Sequence, residues 1–284
     1  MLITRRDTGL CLITHPDHGR LAGDLYRRWG NERFTRPAAD DALQTAATHH
    51  DDGWQELDSQ PAFNPDEGRP AHFLELALEQ TVGPYARGVD TVYARDPYAG
   101  ALVSMHWAGL YRTRWGLQGG KPVPHPLAAE VVAEQERRWV AALREVWDGR
   151  GLRSEFERHT WHAYEVLQAL DFLSLALSLL DTARPDAGDP VAMPGTLPTI
   201  EQPTGARSIP AVPLTPSGEH VDVTLRVTAP HVVELDPYPF GERRFEVSVP
   251  ARRLEDRRYP SAEESADAYR RASPEPIMIA LAAR

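Results

Sequence analysis

The chain has 284 residues, with 31 Lys and Arg against 41 Asp and Glu and a formal charge of −10. That length holds one large domain, or one domain with a smaller companion, and is ample for a hydrophobic core. An acidic balance without a basic stripe argues against nucleic-acid backbone binding, which needs clustered Lys and Arg. Lys121 is the single lysine and Cys11 the single cysteine. The lone thiol excludes an intrachain disulfide and a Cys-based zinc site, so any metal is held by His, Asp or Glu. The N-terminal stretch MLITRRDTGLCLITHPDHG carries no apolar segment after its arginines, and no apolar run is long enough to span a bilayer. A soluble, cytoplasmic protein without a membrane partner is expected.

In chain order, residues 2–14 alternate as a short hairpin turning at DTG. From Thr14 to about Asp181 the pattern is helical, with helices expected over 15–29, 37–52, 71–82, 98–114, 126–148 and 155–181. Residues 183–216 are dense in Pro, Gly, Thr and Ala and read as a linker or extended meander. The period then changes: HVDVTLRVTA, HVVELDPYPF, RRFEVSVPARRL and PIMIALAA read as strands, with a short helix near 261–271. The expected fold is mainly α, a helical bundle with a short N-terminal hairpin and a smaller β-rich C-terminal part. The expected division is a helical metal-binding domain over 1–182, the linker over 183–216 and a β-rich subdomain over 217–284.

The stretch AATHHDDGW concentrates the chemistry. Pro37 suits a first helical turn, and Leu43, Ala47, His50 and Trp54 follow at the spacing of one helical face, pointing His50 inward. Gly53 reads as the C′ residue, which leaves Asp51 and Asp52 in a last turn where the helix dipole disfavours carboxylates. No Lys or Arg occurs between Pro37 and Gln60, so the compensating charge comes from elsewhere in the fold or from a bound cation. A polar helix end with solvated aspartates is the alternative. His18 shares a face with Leu21, Ala22, Leu25 and Trp29, and His106 with Leu102, Gly109, Leu110 and Thr113; either is also readable as a hydrogen-bonded core histidine. Asp171 is the only charged residue in VLQALDFLSLALSLL, where burial requires that it be protonated, hydrogen-bonded, paired or metal-bound. Adjacent His50 and Asp51 diverge by about 100°, so both reach one ion where the helix ends. Imidazole with carboxylate suits Fe, Mn, Co, Ni or Zn, and one or two such divalent transition-metal ions are the expected cofactor.

Asp52, together with Asp51, is the candidate for acid–base work, its alternative being an exposed acid at a helix end. His49 points away from His50, toward a supporting or surface role. Arg112 and Arg114 are candidates for gripping a phosphate or carboxylate of a small anionic substrate, with solvated helix-end arginines as the alternative. GLQGGKP lacks the spacing of a phosphate-binding loop, and neither GxSxG nor GxGxxG occurs.

The series His18, His50-Asp51, Asp171 resembles the HD-domain superfamily, whose helical fold binds one or two metals through a His, a His-Asp doublet and a distal Asp. More closely, PDHGRLAG, HDDGW, DPYAGALVSMHWAGLY and LDFLSLAL resemble a bacterial domain-of-unknown-function family, number 3891, over the helical body and at LDPYPF in the tail. The resemblance implies an HD-like bundle with a metal core of His18, His50, Asp51 and Asp171, and His106 as one of the extra histidines of a dinuclear site. A second extra histidine would be His72 in PAHFLEL, or His125 in PVPHP, or absent. The implied activity is metal-dependent hydrolysis, of a phosphate ester first of all. A mixed-valent diiron oxygenase is the alternative, and a non-catalytic metal-binding or sensing module the third reading. A homo-oligomer is compatible with all of them.

Overall fold

The computed structural model describes residues 1–284. The chain opens with the hairpin β1 (Leu2–Arg6) and β2 (Gly9–Ile13), which leads into α1 (His15–Arg28). Thr14 caps α1 by accepting the Asp17 N–H, and Pro16 sits in the first turn, where a missing N–H costs nothing. Next come α2 (Asp40–His49), a 3-10 turn over Asp52–Trp54, α3 (Gln55–Ser59), and a minimal hairpin of β3 (Phe63–Asn64) and β4 (Arg69–Pro70). Four longer helices follow: α4 (Leu78–Arg95), α5 (Pro97–Tyr111), α6 (Pro126–Val146) and α7 (Arg153–Leu179). The remainder is β5 (Arg207–Pro213), β6 (His220–Ala229), β7 (Val232–Asp236), β8 (Arg244–Leu254), α8 (Ala262–Arg271) and β9 (Glu275–Ala283). No helix is long and apolar enough to cross a membrane.

Asp96 starts α5 by accepting the N–H groups of Tyr98 and Ala99, with Pro97 as its first residue. Helix α7 is buried at every residue from Val166 to Leu179, which is why its sequence is apolar all round rather than striped. It packs against α1, α5 and β5 and so forms the axis of the molecule.

The mainly-α expectation is corrected by the sheet. Seven strands in the order β1-β2-β8-β9-β7-β6-β5 form one curled, mixed sheet, antiparallel except where β7 runs parallel to β9. The N-terminal hairpin does not stand apart: β2 pairs with β8, Leu10 opposite Leu254 and Leu12 opposite Arg252. Strand β5 lies within the segment expected to be a linker. A single apolar cluster of 56 buried residues joins Leu21 and Leu170 of the helices to Val223 and Ile279 of the sheet. Local periodicity carries no information about which distant strands pair, because register is set by partner and turn.

Two helix boundaries also move. The helix expected over 71–82 begins at Leu78 and continues to Arg95, through Pro84. Gly88 within it is a place of close approach rather than a break: a Cβ there would stand 3.0 Å from the His50 carbonyl oxygen. The helix expected over 37–52 is confined to Asp40–His49, with Pro37 outside it. Gly53 is not a left-handed C′ residue; it lies inside the 3-10 turn, pressed against α4.

Candidate metal centre

Five of the residues singled out in the sequence meet at one buried place. His18 on α1, His50 at the end of α2, Asp51 beside it, His106 on α5 and Asp171 in mid-α7 are each at most 4% exposed. His18 Nε2 lies 2.8 Å from Asp51 Oδ2, and His50 Nε2 lies 3.8 Å from that oxygen and 3.4 Å from Asp171 Oδ1. Two donors about 2.1 Å from a common ion stand about 3.0 Å apart at a right angle and about 3.4 Å apart at the tetrahedral angle. The observed separations have the size of such edges.

Hydrogen bonds behind the rings set their tautomers. The Ser174 hydroxyl donates to the Asp171 carbonyl at 2.9 Å, so its oxygen accepts the His18 Nδ1–H at 3.0 Å. His50 Nδ1–H donates to the Ala47 carbonyl at 3.0 Å. In the neutral rings both Nε2 atoms thus turn lone pairs toward carboxylate oxygens, acceptor against acceptor, a conflict that an added ring proton or a bound cation resolves. His50 Nε2 and Asp51 Oδ1 have no hydrogen-bond partner although both are buried. A cation between these groups removes the conflict, and carbonyl or hydroxyl partners behind ligating imidazoles are the usual support.

The electrostatics agree. Burial opposes the charged form of His50 most strongly, yet Asp51 and Asp171 raise its pKa to about 9. Burial opposes ionisation of Asp51, yet His50 and His18 bring it down to about 2. Asp171 is held well below the usual carboxylate range, against burial, by Arg114 and His50. The place attracts positive charge.

Arg114 arrives by an unusual backbone path. After α5, Thr113, Arg114 and Trp115 have φ of +53°, +51° and +56°, three consecutive left-handed residues that are not glycine. Such a residue costs roughly 1–2 kcal/mol, so the turn persists only because the surroundings hold it. Arg114 Nη2 donates to Asp171 Oδ2 at 2.9 Å and Nη1 to Gln168 Oε1 at 2.5 Å, inside the core. This is the positive partner that the buried Asp171 requires.

A cavity of about 530 Å³ opens onto the group. Asp51, His106, Asp171 and Arg114 supply polar lining, and the walls are mostly apolar, with Phe73, Leu110, Leu175 and Leu197 among them.

The other candidates lie elsewhere. Asp52 does not join the cluster: it takes His49 Nδ1 at 2.8 Å and faces Arg95 at 3.6 Å. His49 thereby has its partner outside the centre. Arg112 is exposed. His72 is buried but serves as a helix cap, Nδ1 accepting the Leu74 N–H, and His125 caps α6 in the same way. Neither joins the two metal-competent groupings, which are His18, His50, Asp51 and His50, His106, Asp171.

One constellation escaped sequence reasoning. Asp58 accepts the His15 backbone N–H at 2.6 Å and lies 2.9 Å from its Nδ1, while the Met1 α-amino nitrogen is 2.6 Å from the other carboxylate oxygen. The His15 ring stacks on Trp54 at 4.0 Å and lines the same cavity, and its Nε2 has no partner. The available signal was the three-residue spacing of His15 and His18, which places both on one helical face.

A family model described as "Protein of unknown function (DUF3891)" matches residues 1–256. The chain belongs to this DUF3891 family. No curated protein and no solved structure matches it. The match covers every element of the DUF3891 chain through β8, including all the residues of the buried centre.

Proposed function

We propose that this centre holds a divalent transition-metal ion, Fe, Mn, Co, Ni or Zn, and hydrolyses a phosphate ester, in an HD-type arrangement of His18, His50, Asp51 and Asp171. The observation that carries the reading is the pair of imidazole Nε2 atoms set against two carboxylates beside a cavity, with His50 Nε2 and Asp51 Oδ1 otherwise unpartnered. A bound ion supplies a Lewis acid and lowers the pKa of a water toward neutrality. Ser174 and the Ala47 carbonyl hold the ligand rings in the required tautomers. With neutral imidazoles, two carboxylates, a dication and the Arg114 guanidinium leave a net positive site, suited to an anionic substrate. His15, positioned by Asp58, places an unpartnered Nε2 at the cavity wall for proton exchange. The apolar walls exclude water and receive the organic part of the ester.

The test is metal analysis of protein purified without an affinity tag, followed by a phosphomonoester and phosphodiester panel with Mn, Co, Ni and Zn. Bound metal together with turnover that His50→Ala abolishes supports the reading. Tight metal without turnover of any ester points to a binding or sensing module instead.

A further inference from the structure

We infer that His106 is a hydrogen-bond donor to substrate rather than a metal ligand, so that the centre takes one ion, beside which the ring N–H receives an anionic oxygen. This rests on the metal reading above and adds the ion count and the substrate group.

The inference follows from one chain of hydrogen bonds. The Arg114 guanidinium has donors only. Its Nη1 is 2.5 Å from Gln168 Oε1 and 3.3 Å from the Gln168 carbonyl oxygen. The side-chain oxygen of Gln168 is thereby committed to Arg114, which leaves its NH2 group facing His106 Nδ1 at 2.7 Å. Nδ1 must then accept, and a neutral imidazole that accepts at Nδ1 carries its hydrogen on Nε2. Turning the amide over would set its NH2 against the guanidinium N–H groups and lose the Arg114 bond, even though His106 could then donate from Nδ1 to the amide oxygen.

The three imidazoles of the centre therefore differ. His18 and His50 donate from Nδ1 and turn lone pairs inward, whereas His106 accepts at Nδ1 and turns an N–H inward. The His106 ring is 5.2 Å from that of His50, centroid to centroid, and lines the cavity together with Asp171. An N–H at this place repels a second cation and attracts an oxyanion. The second extra histidine of a dinuclear site is missing as well, since neither His72 nor His125 joins the metal-competent groupings. The diiron alternative thus loses both of its additional ligands. The substrate class is an oxyanion, a phosphate ester in the reading above, on an apolar body held by Leu110, Leu175 and Leu197.

The experiment titrates metal-free protein with Mn(II) and then titrates the loaded protein with inorganic phosphate, for the full chain and for His106→Ala and His106→Gln. One ion per chain is expected in all three. Phosphate affinity should fall about ten- to a hundredfold in His106→Ala, as for loss of a hydrogen bond to a charged group, and largely return in His106→Gln, which keeps an N–H donor but ligates poorly. Nitrogen-15 NMR of the histidine rings should show His106 protonated at Nε2. Two ions per chain, falling to one in both variants, or a ring protonated at Nδ1, overturns the assignment of His106 alone. Protein that binds no ion refutes the metal reading itself and this inference with it.

Discussion

Gly53→Ala isolates the packing that holds the His-Asp doublet in place. A Cβ at this position would stand 2.1 Å from the Pro84 carbonyl oxygen, 2.4 Å from the Gly88 nitrogen and 2.9 Å from the Gly88 Cα. All three are backbone atoms of α4, so no side-chain rotation relieves the clash. Opening the nearest contact from 2.1 Å to the 3.4 Å of ordinary van der Waals separation displaces the turn by roughly 1.3 Å. Overpacking of this kind costs about 1–3 kcal/mol. The turn begins one residue after Asp51, and ligand distances in a metal site tolerate only about 0.2 Å, so metal affinity should fall on the order of a hundredfold. The assay is denaturant unfolding with and without Mn(II), with affinity from calorimetry. Gly83→Ala is the control: a Cβ there meets only the mobile Arg87 Nη1, at 3.4 Å, and alanine in a helix interior should stabilise by about 0.5–1 kcal/mol. Wild-type stability together with wild-type metal affinity in Gly53→Ala would refute the reasoning.

Three further outcomes are expected. A chain ending at residue 184 should fail to unfold cooperatively, because it strips β2 of its β8 partner and α7 of β5; a soluble protein with a sharp transition and full metal content would mean that the helices fold alone. His162 is 1% exposed with neither ring nitrogen partnered, so His162→Leu should raise stability by about 1 kcal/mol, read as a higher Tm; a lower Tm would show that the ring is satisfied in solution. Burial, and after it the charge of the Met1 amine, lowers the His72 pKa to about 3, below the ordinary 6.5 of the unfolded chain. The unfolded chain thus takes up a proton first, and the stability associated with neutral His72 is present above about pH 6.5 and lost as pH falls toward 3, at about 1.4 kcal/mol per pH unit. Urea midpoints at pH 7, 6, 5 and 4 should fall more steeply in wild type than in His72→Gln, and parallel curves would contradict the assignment.

The inward placement of His18, His50, His106 and Asp171 was legible because each lies on an apolar helical face, and facing is a local property set by the 3.6-residue period. Asp171 showed itself further by being the one charge in an apolar run, where physics demands a partner. The identity of that partner was not local. The sequence leaves Arg114 as a grip for an anionic substrate or a solvated helix end, and only the left-handed turn, held by its bonds to Gln168 and Asp171, carries it into the core. Gly53 reads as a helix stop in the sequence because glycine serves both positive φ and close backbone approach, and a sequence does not say which. The sheet was the largest correction. Its strands could be recognised in the tail, but the pairing of Leu10 with Leu254 joins the two ends of the chain, and no periodicity encodes a partner that far away. His15 and Asp58 likewise meet only because α1 and α3 converge on Trp54. Which residues face inward follows from local geometry; which of them touch follows from how the helices and the sheet close on one another, since contact is decided by long-range packing.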